Sequence, residues 1–490
     1  MYYNMAENSY ASGVPSALSF ALSKVQGVSV NSFNITSTTA TSVAPNSQIR
    51  FLLPTAGMLD FKTLRLTFNV KTTEQNASAS GIRLPPSVHM FQRVQITCGG
   101  VTIAQGNSFF GVQEDAKAIV ENKPFDPVVE HGQVVSRFDV QGKLIAGLNS
   151  AGSETYDSGL GANSTLFSVG LGDLAHISPR VIDLTLLPQI EIIFYTAPNN
   201  VLSAVGNGAL AGETISMITN NTNSAPTYVI ERPTMVANMY SLQDGAYSMA
   251  LASRMRDLGF LELVYPQHLA FSQNWARSSR FSLSAMSLDK LHAVWRRNAG
   301  TYAHATIGGV VQMAGYAQKD YAQGSQYNYL GVGSAGAGDA RYRNRCNYFS
   351  APTLDPSYNA THTTASDYGQ TATTELTLQF KINSAQVPQF LANQTQWAEI
   401  TKWANNVDKL DCQSLPEYLN NKFVISYPLN LPSNEWEKKC ISGLDTRASN
   451  TFVELTATGN ADSGNFDVII FAEVSSILRV GAGKAIEVLM

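Results

Sequence analysis

The sequence predicts an all-β protein with a few short helices, built as two antiparallel β-sandwiches in series. Three observations carry that expectation. Several stretches alternate apolar and polar residues with a period of two, the mark of a strand with one buried face. The plainest are Leu64 to Val70, and Glu375 to Asn383, where Leu376, Leu378, Phe380 and Ile382 share one side. Near the middle lies a joint: a strand-like run from Val181 to Tyr195, a soft polar run from Asn199 to Thr227, then a fresh apolar start from Tyr228 to Leu242. Finally, 490 residues are long for one core and suit two of roughly 200–250 residues each.

Taken in order, residues 1–45 are rich in Ser, Thr, Asn and Ala without a strong period, and read as an arm that a partner must hold. Leu18, Leu22 and Val25 fall on one helical face, as a short anchoring helix would need, or as three chance apolar residues. The first sandwich spans 46–197. It opens at Gln48 to Leu53, and Val94 to Thr97 with Val101 to Ala104 flank a Cys98-Gly99-Gly100 hairpin. Phe109, Val112, Ala116, Ile119 and Val120 sit at helical spacing, predicting an amphipathic helix laid on the sheet and ended by Pro124 and Pro127. Residues 140–175 are Gly/Ser-rich and read as an excursion before the closing strand.

Residues 198–233 form the connector and 234–490 the second sandwich. A strand over 234–242 and a helix near 244–257 are followed by strands at Phe260 to Phe271 and Phe281 to Ala285. Ser287 has the character of an N-cap, with Asp289 in a first turn, Leu288, Leu291 and Trp295 on one face, and Ala299-Gly300 as a stop, predicting a helix. The stretch 300–373 is a long Gly- and Tyr-rich loop. After it come a helix carrying Trp397, Ile400, Ala404 and Val407, and strands at 422–427, 451–457, 466–474 and 485–489. Each block has room for about eight strands, the number a jelly roll needs.

Charged residues make up only 14% of the chain, against about a quarter in an average protein. A β-protein with long polar loops, or one whose outer faces are covered by partners, accounts for that, because burying unpaired charge is costly. The net charge of −4 and the scattered basic pairs (Arg254 and Arg256, Arg296-Arg297, Lys438-Lys439) argue against a surface that neutralises many phosphates. Cys98, Cys346, Cys412 and Cys440 include no CxxC pair and match no zinc spacing, so isolated reduced thiols are expected. The opening MYYNMAENSY lacks the positive region of a secretory leader, and no run of about 18 apolar residues occurs.

Motif-like strings carry little. Gly331 to Gly336 spells G-x-G-x-x-G but lies inside the long loop rather than between a strand and a helix. Gly481-Ala482-Gly483-Lys484 resembles the tail of a phosphate loop, yet Leu478 stands where its first glycine belongs, so a turn is expected. The seven histidines are dispersed, and Asp408 with Asp411 reads as a solvated turn. No catalytic, cofactor or metal site is therefore expected. Besides a structural role, two readings remain open: a tandem β-sandwich carbohydrate-binding protein whose tyrosines (Tyr327, Tyr329) stack on sugars, and a glycoside-active β-protein.

Three stretches carry a resemblance: Ile182 to Phe194 before the joint, Phe260 to Trp295, and Gly443-Leu444-Asp445-Thr446-Arg447 before the terminal strands. In order and spacing the chain resembles the double jelly-roll major capsid proteins of adenoviruses, large DNA viruses, polinton-like viruses and virophages. That resemblance implies a homotrimer of pseudo-hexagonal outline, tiling with neighbouring capsomers into an icosahedral virion shell. It also implies penton and minor capsid proteins as partners, an N-terminal arm facing an internal membrane, and synthesis in the host cytoplasm or nucleus. Residues 300–373 then correspond to the main outer tower. The non-basic arm departs from capsids whose arms bind the genome, so no direct nucleic-acid binding is expected.

Overall fold

The computed structural model describes residues 28–73, 79–83, 86–123, 130, 134–136, 155–156, 165–201, 203–206, 227–242, 253, 255–297, 306–307, 310–311, 349, 351–352, 376–412, 418–419, 422–430, 443–447, 451–459, 461 and 466–490. The first block contributes β1 (Val28–Thr36), β2 (Gln48–Leu52), β3 (Met58–Asp60), β4 (Arg65–Thr73), β5 (Phe91–Cys98), β6 (Val101–Ala104), helix α1 (Phe110–Val120), β7 (Thr165–Gly170), β8 (Val181–Asp183) and β9 (Ile190–Thr196). After the joint come β10 (Thr227–Leu242), β11 (Phe260–Asn274), β12 (Ser278–Ser282), β13 (Leu288–Arg297), β14 (Leu376–Ile382), β15 (Ala385–Asn393), helix α2 (Gln394–Ala404), β16 (Val424–Pro428), β17 (Phe452–Gly459), β18 (Phe466–Gly481) and β19 (Ile486–Leu489).

The second sandwich is a complete jelly roll. Its strands pair as nested antiparallel hairpins: β11 with β18, β12 with β17, β13 with β16, and β14 with β15. This folds into two four-stranded faces, β11-β18-β13-β16, to which β19 adds at β18, and β12-β17-β14-β15. The first sandwich nests likewise at its outer turns, with β2 against β9 and β3 against β8. One of its sheets runs β2-β9-β5-β6; the other is built on β4, β7 and β10. The Gly99-Gly100 hairpin joins β5 to β6 with both glycines at positive φ (55° and 85°), the geometry of the turn that matches strand twist.

Each sandwich has its own core. The first is built on an edge-to-face aromatic chain, Phe68 to Phe91 to Phe194 to Phe51, with ring centroids 5.1, 5.1 and 6.2 Å apart. The second is built on Trp275, Trp295, Trp397 and Phe423, all fully buried. On β4 the burial alternates as the sequence predicts, with Leu66, Phe68 and Val70 inside. Helix α2 forms as expected, and its start is fixed by a capping box in which Asn393 accepts from the Gln396 backbone and Gln396 from that of Asn393.

Four expectations need correcting. The stretch after Ser287 is not a helix but strand β13, paired with β18 on one side and β16 on the other. Its residues from Leu288 to Trp295 are buried on both faces, so polar alternation is absent and the apolar spacing mimics a helix. Ser287 caps nothing; its hydroxyl donates to Asp289 Oδ1 at 2.7 Å, and Ser475 Oγ donates to Asp289 Oδ2 at 2.6 Å. Strand β10 follows the joint in sequence yet pairs with β4 and β3 of the first sandwich and, among the described residues, with no strand of the second. Residues 28–36, read as part of an arm, form β1 along β10 in unbroken register from Val28↔Leu242 to Thr36↔Thr234. Within 140–175, Thr165–Gly170 is a strand on β4, and a short helical turn spans Gly172–His176. Most of the helix expected at 244–257, the Gly331 motif and nearly all of loop 300–373 lie outside the described residues.

Candidate functional site

The two sandwiches meet along a seam. Helix α1 leaves the first block and lays Val112, Ala116, Ile119 and Val120 on the outer face of the β11-β18-β13-β16 sheet, against Val294, Val424, Ile469 and Phe471. A sheet covered on both faces must be apolar on both. At one end of this seam the covering turns polar, and the polar residues converge.

Strand register brings them together. On β18, Glu473 lies opposite His268 of β11 on one side and Lys290 of β13 on the other. His292 follows Lys290 by two residues and so shares its face. All four residues are buried. The His268 and His292 rings are stacked with centroids 6.1 Å apart. Glu473 Oε2 stands 3.6 Å from His292 Nε2, 3.9 Å from His268 Nε2 and 3.8 Å from Lys290 Nζ.

The first block closes the site from above. Gly172, at φ 64°, lets the turn approach α1: a Cβ there would sit 2.9 Å from Phe110 Cε2. The turn presents Asp173, whose Oδ1 accepts from Gln113 Nε2 at 2.9 Å and faces His268 Nδ1 at 2.8 Å, while Oδ2 accepts from the His268 backbone N–H at 3.1 Å. Lys117 bonds Glu114 at 3.2 Å and lies 3.6 Å from Asp173. Lys290 Nζ donates to Asn405 Oδ1 at 3.3 Å, just past α2. Between these groups is a cavity of about 100 Å³ lined by Lys117, Glu121, His176, His268, Lys290 and Glu473, among others.

Burial sets the charge states here. It pushes the Glu114 carboxyl up and the His292 imidazole down, so His292 is neutral near pH 7. It also pushes His176 down, to about 4, aided by the Lys117 ammonium. Burial alone would raise Asp173, but the His268 contact and Lys117 outweigh it and hold that carboxyl at about 2. The same contest leaves Lys117 raised, because Glu114 and Asp173 outweigh its desolvation. The site is thus a fixed set of ion pairs beside two imidazoles. His268 Nε2 and His292 Nε2 are buried without a hydrogen-bond partner.

Sequence reasoning missed this site by treating the histidines as dispersed. His268, His292 and Glu473 are far apart in the chain, and only the register of β11, β18 and β13 joins them; no local spacing signals it. Other candidates stay apart. Asp408 is exposed, whereas Asp411 bonds Lys422 at 3.1 Å. Lys484 follows a turn, as expected, and donates to the Leu187 carbonyl at 3.2 Å. Glu130 is ion-paired with Arg65, and His131 lies outside the described residues. Cys98 is a free, buried thiol.

No family model and no curated protein matches the chain. Solved structures do. The crystal structure of PBCV-1 VP54 fitted into a reconstruction of the virophage Sputnik aligns over 95% of this chain and 98% of its own, at 13% identity and a TM-score of 0.50. The Faustovirus major capsid protein aligns over 95% and 94% at 9% identity, with a TM-score of 0.49. The mavirus major capsid protein aligns over 93% and 89% at 9% identity, with a TM-score of 0.47. With the strand pairing above, the likeness to the PBCV-1 protein along nearly the full length of both chains gives this chain its fold: a double jelly roll.

Proposed function

We propose that this protein is a major capsid protein, working by trimerising into pseudo-hexagonal capsomers that tile an icosahedral shell. One observation carries the reading: two jelly rolls in tandem on one chain, in the arrangement of a viral protein fitted into a virophage particle. Two similar sandwiches per chain give six similar walls in a trimer. The surface chemistry supports it. The chain is poor in charge, and Val30, Phe33, Phe390, Leu391 and Trp403 are large apolar side chains 46–60% exposed. Copies of the same chain would cover such residues, since obligate interfaces are apolar and depleted of charge.

On this reading the protein acts in the virion shell, with itself as first partner and penton and minor capsid proteins beyond. The segment before β1 and the loop between β13 and β14 are the proposed inner arm and outer tower. Light scattering on the purified protein tests the central claim. The expected species is a salt-resistant trimer, three times the 53.0 kDa chain, with a hexagonal outline in electron micrographs. A monomer at micromolar concentration refutes it.

A further inference from the structure

We infer that His268, His292 and Glu473 form a zinc site at the seam between the two jelly rolls. The inference rests on local geometry and is independent of the capsid reading. The potential ligand atoms of the three residues lie within 4.8 Å of one another. Two edges of that triangle, 3.6 and 3.9 Å, are close to the edge of about 3.3 Å that follows from zinc bonds of 2.0–2.1 Å in a tetrahedron. The third, between the two imidazole nitrogens, is no longer than 4.8 Å and must shorten when one ion takes both.

The donor set has the chemistry of zinc. Two imidazole nitrogens and one carboxylate oxygen are borderline ligands, a set used where three protein groups leave a fourth position for water. Both Nε2 atoms are buried without a hydrogen-bond partner and converge on the cluster. His268 meets Asp173 through its other nitrogen at 2.8 Å, the outer-shell carboxylate that orients metal-bound histidines and fixes their tautomer. That Asp173 comes from the first sandwich, whereas the three ligands come from the second.

Room and access agree. The adjoining cavity of about 100 Å³ accepts one or more waters, each of which occupies about 30 Å³ in the liquid. Around it the ammonium groups of Lys117, Lys123 and Lys290 stand among the carboxyl groups of Glu121, Asp173 and Glu473, with Glu114 beside Lys117. Lys123, 68% exposed, stands at its mouth. Lys290 is the group that opposes a cation; its ammonium donates to Asn405 at 3.3 Å and stands 3.8 Å from Glu473 Oε2, the oxygen that the ion would take.

The test uses full-length protein stripped with a chelator, then titrated with Zn²⁺ or Co²⁺ alone. One equivalent of Zn²⁺ per chain is expected to bind and raise the melting temperature. Co²⁺ should give the visible d–d bands of a four-coordinate site. His292→Gln should abolish those bands, and Asp173→Asn should weaken Zn²⁺ binding roughly 10–100-fold. X-ray absorption of zinc-loaded wild-type protein should show two imidazoles in the coordination shell, which decides the matter even where a variant folds poorly. Absence of bound metal, a shell without imidazole, or cobalt bands unchanged in folded His292→Gln protein each overturns the assignment.

Discussion

Ile119→Ala is the perturbation that most directly examines the seam. Ile119 is fully buried on α1, and its carbonyl accepts from the Asp411 backbone at 3.0 Å. Its neighbours Val294, Val424, Ile469 and Phe471 all belong to the second sandwich. Removing three carbon atoms from such a site costs about 2–5 kcal/mol, because the packed surroundings relax only in part. Taking roughly 3 kcal/mol and 2–4 °C per kcal/mol for domains of this size, the melting temperature should fall by about 6–12 °C. The assay has a built-in separation: all five tryptophans lie at Trp275 or beyond, so their fluorescence reports the second block, whereas far-ultraviolet circular dichroism reports both. Both probes should move to lower guanidinium together. Exposed Lys123→Ala is the control. A loss below about 1 kcal/mol, or a tryptophan midpoint that stays in place, shows that α1 is an appendage of the first block and sinks the account of the seam.

Three further outcomes are expected. Gly443→Ala places a Cβ 2.4 Å from both Asp289 Oδ1 and Ser287 Oγ and 2.5 Å from the Leu288 carbonyl; it should cost about 1–3 kcal/mol, read as a drop in thermal midpoint. The Cys98 thiol is fully buried and pushed from 9.0 up to about 11 by that burial. Native protein near pH 8 should therefore leave Cys98 unalkylated in peptide maps. A raised folded value means that the folded state holds the proton longer. The associated stability is complete below pH 9.0 and is lost as pH rises through about 11. That rise is worth on the order of 1–3 kcal/mol, visible as an alkaline slope that Cys98→Ala makes shallower.

Much of the fold was legible because single-faced strands announce themselves. Leu66, Phe68 and Val70, or Leu376, Leu378, Phe380 and Ile382, need only the period of two to be assigned. Strand β13 was not legible for a physical reason. His292, Ala293, Val294 and Trp295 are all buried because one face meets the second core and the other meets α1. Long-range placement was equally hidden. Nothing local distinguishes a β10 that opens the second sandwich from one that returns to Arg65–Thr73 of the first. The polar site was illegible because its residues are assembled by register across three strands. Sequence could offer only the oddity of Lys290 and His292 among the apolar Leu291, Ala293, Val294 and Trp295.

The polar seam has a consequence for how the two jelly rolls hold together. The blocks interleave: β10 completes the first sandwich from beyond the joint, and α1 covers the second from before it. Leu263 and Tyr265 of β11, with Leu478 and Val480 of β18, extend into the first core. Each sandwich therefore buries surface supplied by the other, and neither closes its core alone. Apolar contacts fix distance but tolerate sliding, whereas the bonds from Asp173 to the His268 ring and backbone fix direction. A joint held at a fixed angle needs the second property. This accounts for ion pairs in a seam where, by the usual balance of desolvation against attraction, hydrophobic residues would serve stability as well.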